Sequence, residues 1–305
     1  MGKAITNLAG IIPVSNYKSD LNLPYHDCLL PVAKGVTAIE SAVYNCLQAG
    51  CRTIWIVCED DTKPIIRDII GDYVARESAA LAVPVFYTPC NPKHWKKKDS
   101  YAYSVIQGAK TAVSVSRAYS DWTSPNKFFI SFPMCVVDQV KLLEFRKKKY
   151  FSIPFKNTVI ESSDGDTFLK NKLFPFCLTT ESINQCNYYV QIASNTSREL
   201  IPGMQIPEDF NLTDYKMQDY YQKSKVKNTA AKFQLSDVFM PVSTDPSLRA
   251  NLECYDISNW DGYKNYLSKE GERLISPNFK LQKVEIKNNW KYEGINYAEE
   301  IERII

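Results

Sequence analysis

The chain has 305 residues, enough to bury a full core as one large domain or two smaller ones. Its 37 basic and 34 acidic residues leave a formal charge of +3, which gives no global electrostatic case for nucleic acid or an anionic membrane as partner. Gly is scarce at 11 residues, whereas Tyr and Phe reach 19 and 14, and so few glycines argue against several Gly-rich phosphate loops.

The start, "MGKAITNLAGIIPVSN", lacks the apolar run of a secretory signal, and Met1-Gly2 with Thr6 matches the N-myristoylation pattern as chance would. Without a signal, the sequons at Asn195 and Asn211 carry little weight. No apolar run is long enough to span a bilayer, so no membrane partner is expected. Nine cysteines without a C-x-x-C, mostly in apolar segments, read as buried free thiols in a reducing, cytoplasmic setting. His26 and His94 are the two histidines, too few for a Cys/His zinc site. Pro92 disfavours the helix that would join Cys90 to His94 as a nucleophile pair.

In chain order, Ile11 to Val14 reads as a first strand. "TAIESAVYNCLQAG" reads as a helix, with Thr37 as N-cap, Glu40 completing a capping box and Gly50 as C-cap. "TIWIVC" is a strand covered on both faces. "TKPIIRDIIGDYVARES" places Ile65, Ile66, Ile69, Ile70 and Val74 at helical spacing. Then come strand "VPVFYTP", helix "SYAYSVIQGAKTAVSVSRAY", strand "KFFISFP" and helix "VDQVKLLEFRKKK". "NTVIESSDGDTFLK" reads as a hairpin turning at Asp164-Gly165. Beyond Leu178, "NYYVQIAS" reads as a strand, "LTDYKMQDYYQKSKVKN" as a polar helix or ordered loop, "DISNWDGYKNYLSKEG" as a turn entering a helix and "NYAEEIERII" as a short helix. Alternating strands and helices predict an α/β fold with a mostly parallel central sheet flanked by helices. One α/β domain over residues 1–245 is expected, with 246–305 as an extension packed on it.

"CLLPVAKGVTAIESAVYNCLQAGCRTIWIVCEDD", Cys28 to Asp61, resembles the sugar-nucleotide nucleotidylyltransferases, the pyrophosphorylases with a GT-A-like Rossmann variant fold. "IIP", "LLPV", "LQAG" and "IWIV" follow the family order at close to its spacing. "KKKDSYAYSVIQGAK" looks like the family's G-T-A-x-A-V helix start beside the base, and "KFFISFPMCVVD" like its strand delivering a metal-binding Asp. "ECYDISNWDGYKNYL" is similar to the W-x-D-I-G-T-x-x-x-Y element that carries the second metal Asp. The resemblance spans about Gly10–Asp138 and returns near Asp256.

The family transfers a nucleotidyl group from a nucleoside triphosphate to a sugar phosphate, releasing pyrophosphate, with Mg²⁺ as the cation. That likeness implies Lys18 as the catalytic phosphate contact, Ser15, Asn16, Asp99 and Ser100 as nucleotide contacts, and Asp256 as the metal ligand. The chain departs from the pattern elsewhere. The Gly-rich signature reads "VSNYKSD", the family's lysine falls at Asp27, its helix-start Gly at Ser100, and its first metal Asp near Phe132–Met134. A like charge at Asp27 repels a triphosphate by roughly 1–4 kcal/mol at close range.

Each motif also has a structural reading. Lys18 and Asn16 serve as polar-loop residues, Asp99-Ser100 as a helix cap, and Asp256 as a turn residue. "KHWKKK" (Lys93–Lys98) reads as a solvated loop, "RKKK" (Arg146–Lys149) as cations complementing a helix C-terminus, and Asp164 and Asp166 as turn residues. Two functions stand: a divergent nucleotidylyltransferase using a nucleoside triphosphate, a sugar phosphate and Mg²⁺, or an inactive member of that fold serving a protein partner in an assembly. A GT-A glycosyltransferase, suggested by the "DGD" spelling, ranks below both.

Overall fold

The computed structural model describes residues 6–14, 19–75, 82–89, 100–118, 123–187, 235–239, 242 and 248–284. Strand β1 (Leu8–Pro13) is buried along its whole length, which only a strand with both faces covered tolerates. A hairpin of β2 (Pro31–Ala33) and β3 (Val36–Thr37) leads into helix α1 (Ala38–Ala49). The capping box forms as read: Glu40 N donates to Thr37 Oγ1, and Thr37 N to Glu40 Oε2 at 2.9 Å. Next come β4 (Thr53–Cys58), α2 (Lys63–Ile70), β5 (Tyr73–Ala75), β6 (Val83–Pro89), α3 (Tyr101–Ala118), β7 (Lys127–Ile130), β8 (Cys135–Val137) and α4 (Gln139–Lys147). Strands β9 (Thr158–Glu161) and β10 (Phe176–Thr179) follow, and then β11 (Leu248–Asn251), β12 (Cys254–Asp256), α5 (Trp260–Ser268) and β13 (Gln282–Lys283).

Among the described residues the main sheet runs β11-β9-β10-β7-β1-β4-β6-β5-β13. Its centre, β7-β1-β4-β6, is parallel, with Ile11 opposite both Trp55 and Ile130. Strand β10 pairs antiparallel with β7 and β9, so β9 and its parallel neighbour β11 point the same way as the centre. The carboxyl ends of β1, β4, β6, β7, β9 and β11 therefore share one edge. The chain after residue 246 supplies both outermost strands, β11 and β13, and the β12 partner of β8.

Two elements differ from their sequence reading. The helix expected to reach Val74 ends at Ile70, because Gly71 takes φ +81° and its N–H closes on Arg67 O. Val74, at the right helical phase, is instead buried in β5 against Val83. The expected hairpin at Asp164-Gly165 is a turn alone: Ser162 N donates to Asp166 O and Gly165 N to Ser162 O, and a 3-10 turn at Phe168–Lys170 follows. Strand β9 finds its partners in β10 and β11, because a turn fixes a local reversal and not which strand comes back beside it.

The expectations at "NYYVQIAS", "LTDYKMQDYYQKSKVKN", "KHWKKK" and "NYAEEIERII" lie outside the described residues. Eight cysteines are described, all free and buried, and burial pushes the Cys177 thiol up to about 12. No helix among the described residues is long and apolar enough to cross a membrane. Arg146, from the basic run closing α4, donates to Leu47 O at 3.2 Å and so satisfies a carbonyl in the last turn of α1.

The central strand and α1 approach closely at Gly10, where a Cβ would stand 2.7 Å from Cys46 Sγ and 3.3 Å from Cys51 Sγ. Gly10→Ala is therefore expected to cost about 1–3 kcal/mol in urea unfolding. Cys46→Ala in the same chain should recover part of that cost, a coupling of roughly 0.5–3 kcal/mol, whereas strict additivity would contradict the contact.

Lys127 on β7 is 1% exposed, and its Nζ donates to Ile153 O and Thr158 Oγ1. Burial pushes its pKa below the ordinary lysine value, against a smaller opposing pull from Cys177. Between the depressed folded value and the ordinary unfolded one, the unfolded chain holds a proton that the native state has shed. Stability rises with pH across that window. The stability difference between wild type and Lys127→Met should therefore move in favour of wild type as pH rises through it, and a flat difference in pH-dependent unfolding would refute the assignment.

Candidate functional site at the carboxyl edge of the sheet

In open α/β sheets, ligands bind outside the carboxyl ends of the strands where the strand order reverses. Here β1 leads to β4 on one side, and β6 crosses back through α3 to β7 on the other, so the reversal lies between β1 and β7. Three segments meet there: the loop after β1, the residues after β7 and the first turn of α3.

The loop after β1 opens at Val14, whose N–H donates to Val57 O at 2.7 Å. Ser15, Asn16 and Lys18 lie outside the described residues, as does Asp99. Ser19 re-enters buried, its N–H donating to Asp27 Oδ2 at 2.6 Å. Asp27 is itself buried, so the carboxylate at the family's lysine position closes its own loop. The loop is tied down again where Asp20 N donates to Ser258 O.

Beyond β7, Ser131 N donates to Ile11 O, and Phe132 and Met134 are fully buried. Phe132 packs edge-on to Tyr101 at 5.5 Å and lies 6.1 Å from Phe176, which stacks on Phe168 at 3.9 Å. Rings thus fill the place where a first metal carboxylate was expected. Ser100 is buried at the start of α3, its carbonyl accepting from Ser104 N at 3.1 Å.

Asp256 closes β12 opposite Cys135. Its Oδ1 accepts from Ser258 N at 3.0 Å and Ser258 Oγ at 2.6 Å, and its Oδ2 from Leu173 N at 3.0 Å. Both oxygens are engaged in tying three segments together. Among the described residues no group of three or more His, Cys, Asp or Glu side chains could hold a metal ion. The described donor set therefore does not fit Mg²⁺.

Asp256 also lines a cleft of ≈ 300 Å³ between the 162–166 turn, β12 and α5. Lys141, Lys172 and Lys269 bring ammonium groups to it, and Ser162 and Ser163 hydroxyls. Asp164 and Asp166, read from sequence as turn residues, face the same cleft. On one wall Arg273 Nη2 holds Glu253 Oε1 at 2.6 Å and Tyr255 OH donates to the same oxygen at 2.8 Å. Burial pushes the Glu253 carboxyl up, but the hydrogen bonds from Arg273 and Tyr255 outweigh it and hold the group below its ordinary value. Burial and that carboxylate together raise Tyr255 to about 12. The three lysines come from α4, the 171–175 connection and the end of α5, at spacings no motif announces. Ser100 is not among the cleft's lining residues.

No protein-family profile and no curated protein matches the sequence. Among solved structures, a UDP-glucose pyrophosphorylase complexed with UDP-glucose is similar over 87% of this chain and 100% of that one, with TM-score 0.50 and 12% identity. A putative glucose-1-phosphate thymidylyltransferase from Bacillus anthracis matches over 88% and 96%, with TM-score 0.49 and 11% identity. The inositol-1-phosphate CTP transferase from T. maritima matches over 89% and 97%, with TM-score 0.49 and 10% identity. At 12% identity the pyrophosphorylase likeness shows the fold alone: a mostly parallel sheet flanked by helices, of sugar-nucleotidylyltransferase type.

Asp256→Ala leaves Leu173 N and Ser258 N without their acceptor and is expected to cost about 1–3 kcal/mol, equally with and without Mg²⁺. Asp256→Asn keeps one acceptor oxygen and should cost less. A stabilisation by Mg²⁺ that wild type shows and Asp256→Ala loses would make this carboxylate a metal ligand after all.

Proposed function

We propose that this nucleotidylyltransferase-type fold binds a phosphate-bearing ligand at its carboxyl edge and serves as a binding or assembly component, with nucleotidyl transfer lost. The observation that carries the reading is the wholly buried Phe132–Met134 stretch where the chemistry calls for a carboxylate. In-line attack on a triphosphate needs a cation against the developing charge. Asp27 turned into its own loop and Asp256 spent on backbone donors support the same conclusion. The cleft with Lys141, Lys172, Lys269, Ser162 and Ser163 supplies charge and hydroxyls suited to a nucleoside triphosphate or sugar phosphate without metal. Eight buried free thiols support a reducing, cytoplasmic setting.

A second reading, active transfer, is favoured by one feature: Val14 and Ser19 flank the Lys18 segment at the strand-order reversal, where phosphates bind such sheets. In that reading Lys18 holds phosphate, Ser15, Asn16, Asp99 and Ser100 hold the nucleotide, and Mg²⁺ takes Asp256 from its backbone donors.

Thermal unfolding with each nucleoside triphosphate, nucleotide sugar and sugar phosphate, with and without Mg²⁺, separates the two. The binding reading expects a rise in midpoint independent of Mg²⁺, lost in Lys172→Ala/Lys269→Ala, with no pyrophosphate released. A Mg²⁺-dependent rise accompanied by pyrophosphate release, both abolished by Lys18→Ala, would establish transfer instead. No rise with any ligand would remove the phosphate site and leave only the assembly role.

A further inference from the structure

The turn between α4 and β9 carries Phe155, 85% exposed and at φ +62°. A bulky side chain seldom adopts that backbone region, and such a conformation persists only where the surroundings impose it. They do so here. Phe151 on one flank is buried and packs edge-on against Phe129 at 5.4 Å. Asn157 on the other is buried and hydrogen-bonded to Ser182 and Thr179. Between them, Lys127 Nζ donates to Ile153 O, Thr6 Oγ1 to Ser152 O and Thr158 Oγ1 to Tyr150 O. The ring is thus presented on a turn clamped from the core and not left on a loose tip. From residue 145 to 160 the chain carries Arg146, Lys147, Lys148, Lys149 and Lys156 and no carboxylate.

The turn precedes β9 and so lies at the amino edge of the sheet. Just beyond β4, at the carboxyl edge, a shallow hollow of ≈ 640 Å³ is lined by Asp60, Lys63, Pro64, Arg67 and Asp68. Ile65 beside it is 49% exposed, and Arg67 is already paired with Asp72 at 2.7 Å. Glu59 and Asp61 extend the acidic rim. The hollow is roomy enough for an aromatic ring and opposite in charge to the turn. A fixed ring also favours a shaped recess over a fluid lipid surface, which would accept the ring from any backbone conformation.

The geometry points to head-to-tail association of this chain: Phe155 and its lysines on one copy seat in the Asp60–Asp68 hollow of the next. Because knob and hollow are different surfaces at opposite sheet edges, the contact is heterologous and builds open chains or rings, not a two-fold dimer. Opposite charges steer the encounter and make it salt-sensitive, while the aromatic anchor supplies most of the hold. The contact is independent of what the carboxyl-edge cleft binds.

Sedimentation of the full chain over a range of concentrations tests it. Wild type should gain mass with concentration at low salt and lose it at high salt. Phe155→Asp, at an exposed site where folding is spared, should weaken association by at least about tenfold, as should Asp60→Lys/Asp68→Lys. Each variant keeps one working surface, so an equimolar mixture of the two should form a 1:1 dimer and stop there. A wild type that stays monomeric throughout overturns the proposal, as does a mixture that does not pair. Retention of wild type but not Phe155→Asp on anionic phospholipid vesicles or single-stranded DNA, without self-association, would likewise overturn it in favour of those partners.

Discussion

Strand β1 hydrogen-bonds in parallel to β4 on one side and to β7 on the other, and its whole length is buried. Parallel neighbours cannot be joined by tight turns, so the chain must cross the sheet twice, through α1 and through α3, to make those pairs. The crossings leave to opposite sides of β1 and open a crevice at its carboxyl end. Close packing of α1 against Gly10 fixes how near the first crossing lies. The placement of the loop after β1, the residues after β7 and the start of α3 follows from this one arrangement.

At that edge the polar groups satisfy one another. Asp27 accepts from its own loop, and Asp256 accepts from the 171–175 connection and from Ser258, which in turn accepts from Asp20. A buried carboxylate is stable only when donors surround it, and here backbone N–H groups supply them. The arrangement holds loops in place without a cation. Phe132, Phe176 and Phe168 add apolar area where ligand charge would otherwise have to be balanced. Shape is thereby conserved while the electrostatic pattern for phosphoryl chemistry is exchanged for packing and internal hydrogen bonds. The lysines that remain available collect one cleft away, around the 162–166 turn.

The two surfaces outside this edge obey the same physics in reverse. At Phe155 the fold spends hydrogen bonds from a buried lysine and two threonines on holding an apolar ring in water. An exposed, over-determined aromatic beside unpaired cations has no intramolecular return, and its counterpart has to come from another surface. The acidic hollow after β4 has the complementary character, on the opposite edge of the same sheet.

Local signals settled much of this fold before any coordinates. The capping box Thr37–Glu40, the apolar run of β4, the long period of α3 and the order of βα units were all readable, because each depends on residues within a few positions. Val74 was not, since it fits a helical period and only pairing with Val83 decides that it is strand. Nor was the fate of Asp164-Gly165, where the turn was correct but β9's partners, β10 and β11, lie far away in sequence. Asp256 could be singled out from its neighbours, yet whether it faced a metal or Leu173 N depended on a segment more than eighty residues earlier. Lys141, Lys172 and Lys269 share no motif and met only through tertiary packing. The sequence by itself determined the elements and their rough order, through contacts a few residues long; which charges face one another was decided by the tertiary structure, because electrostatic partners are chosen by proximity in space.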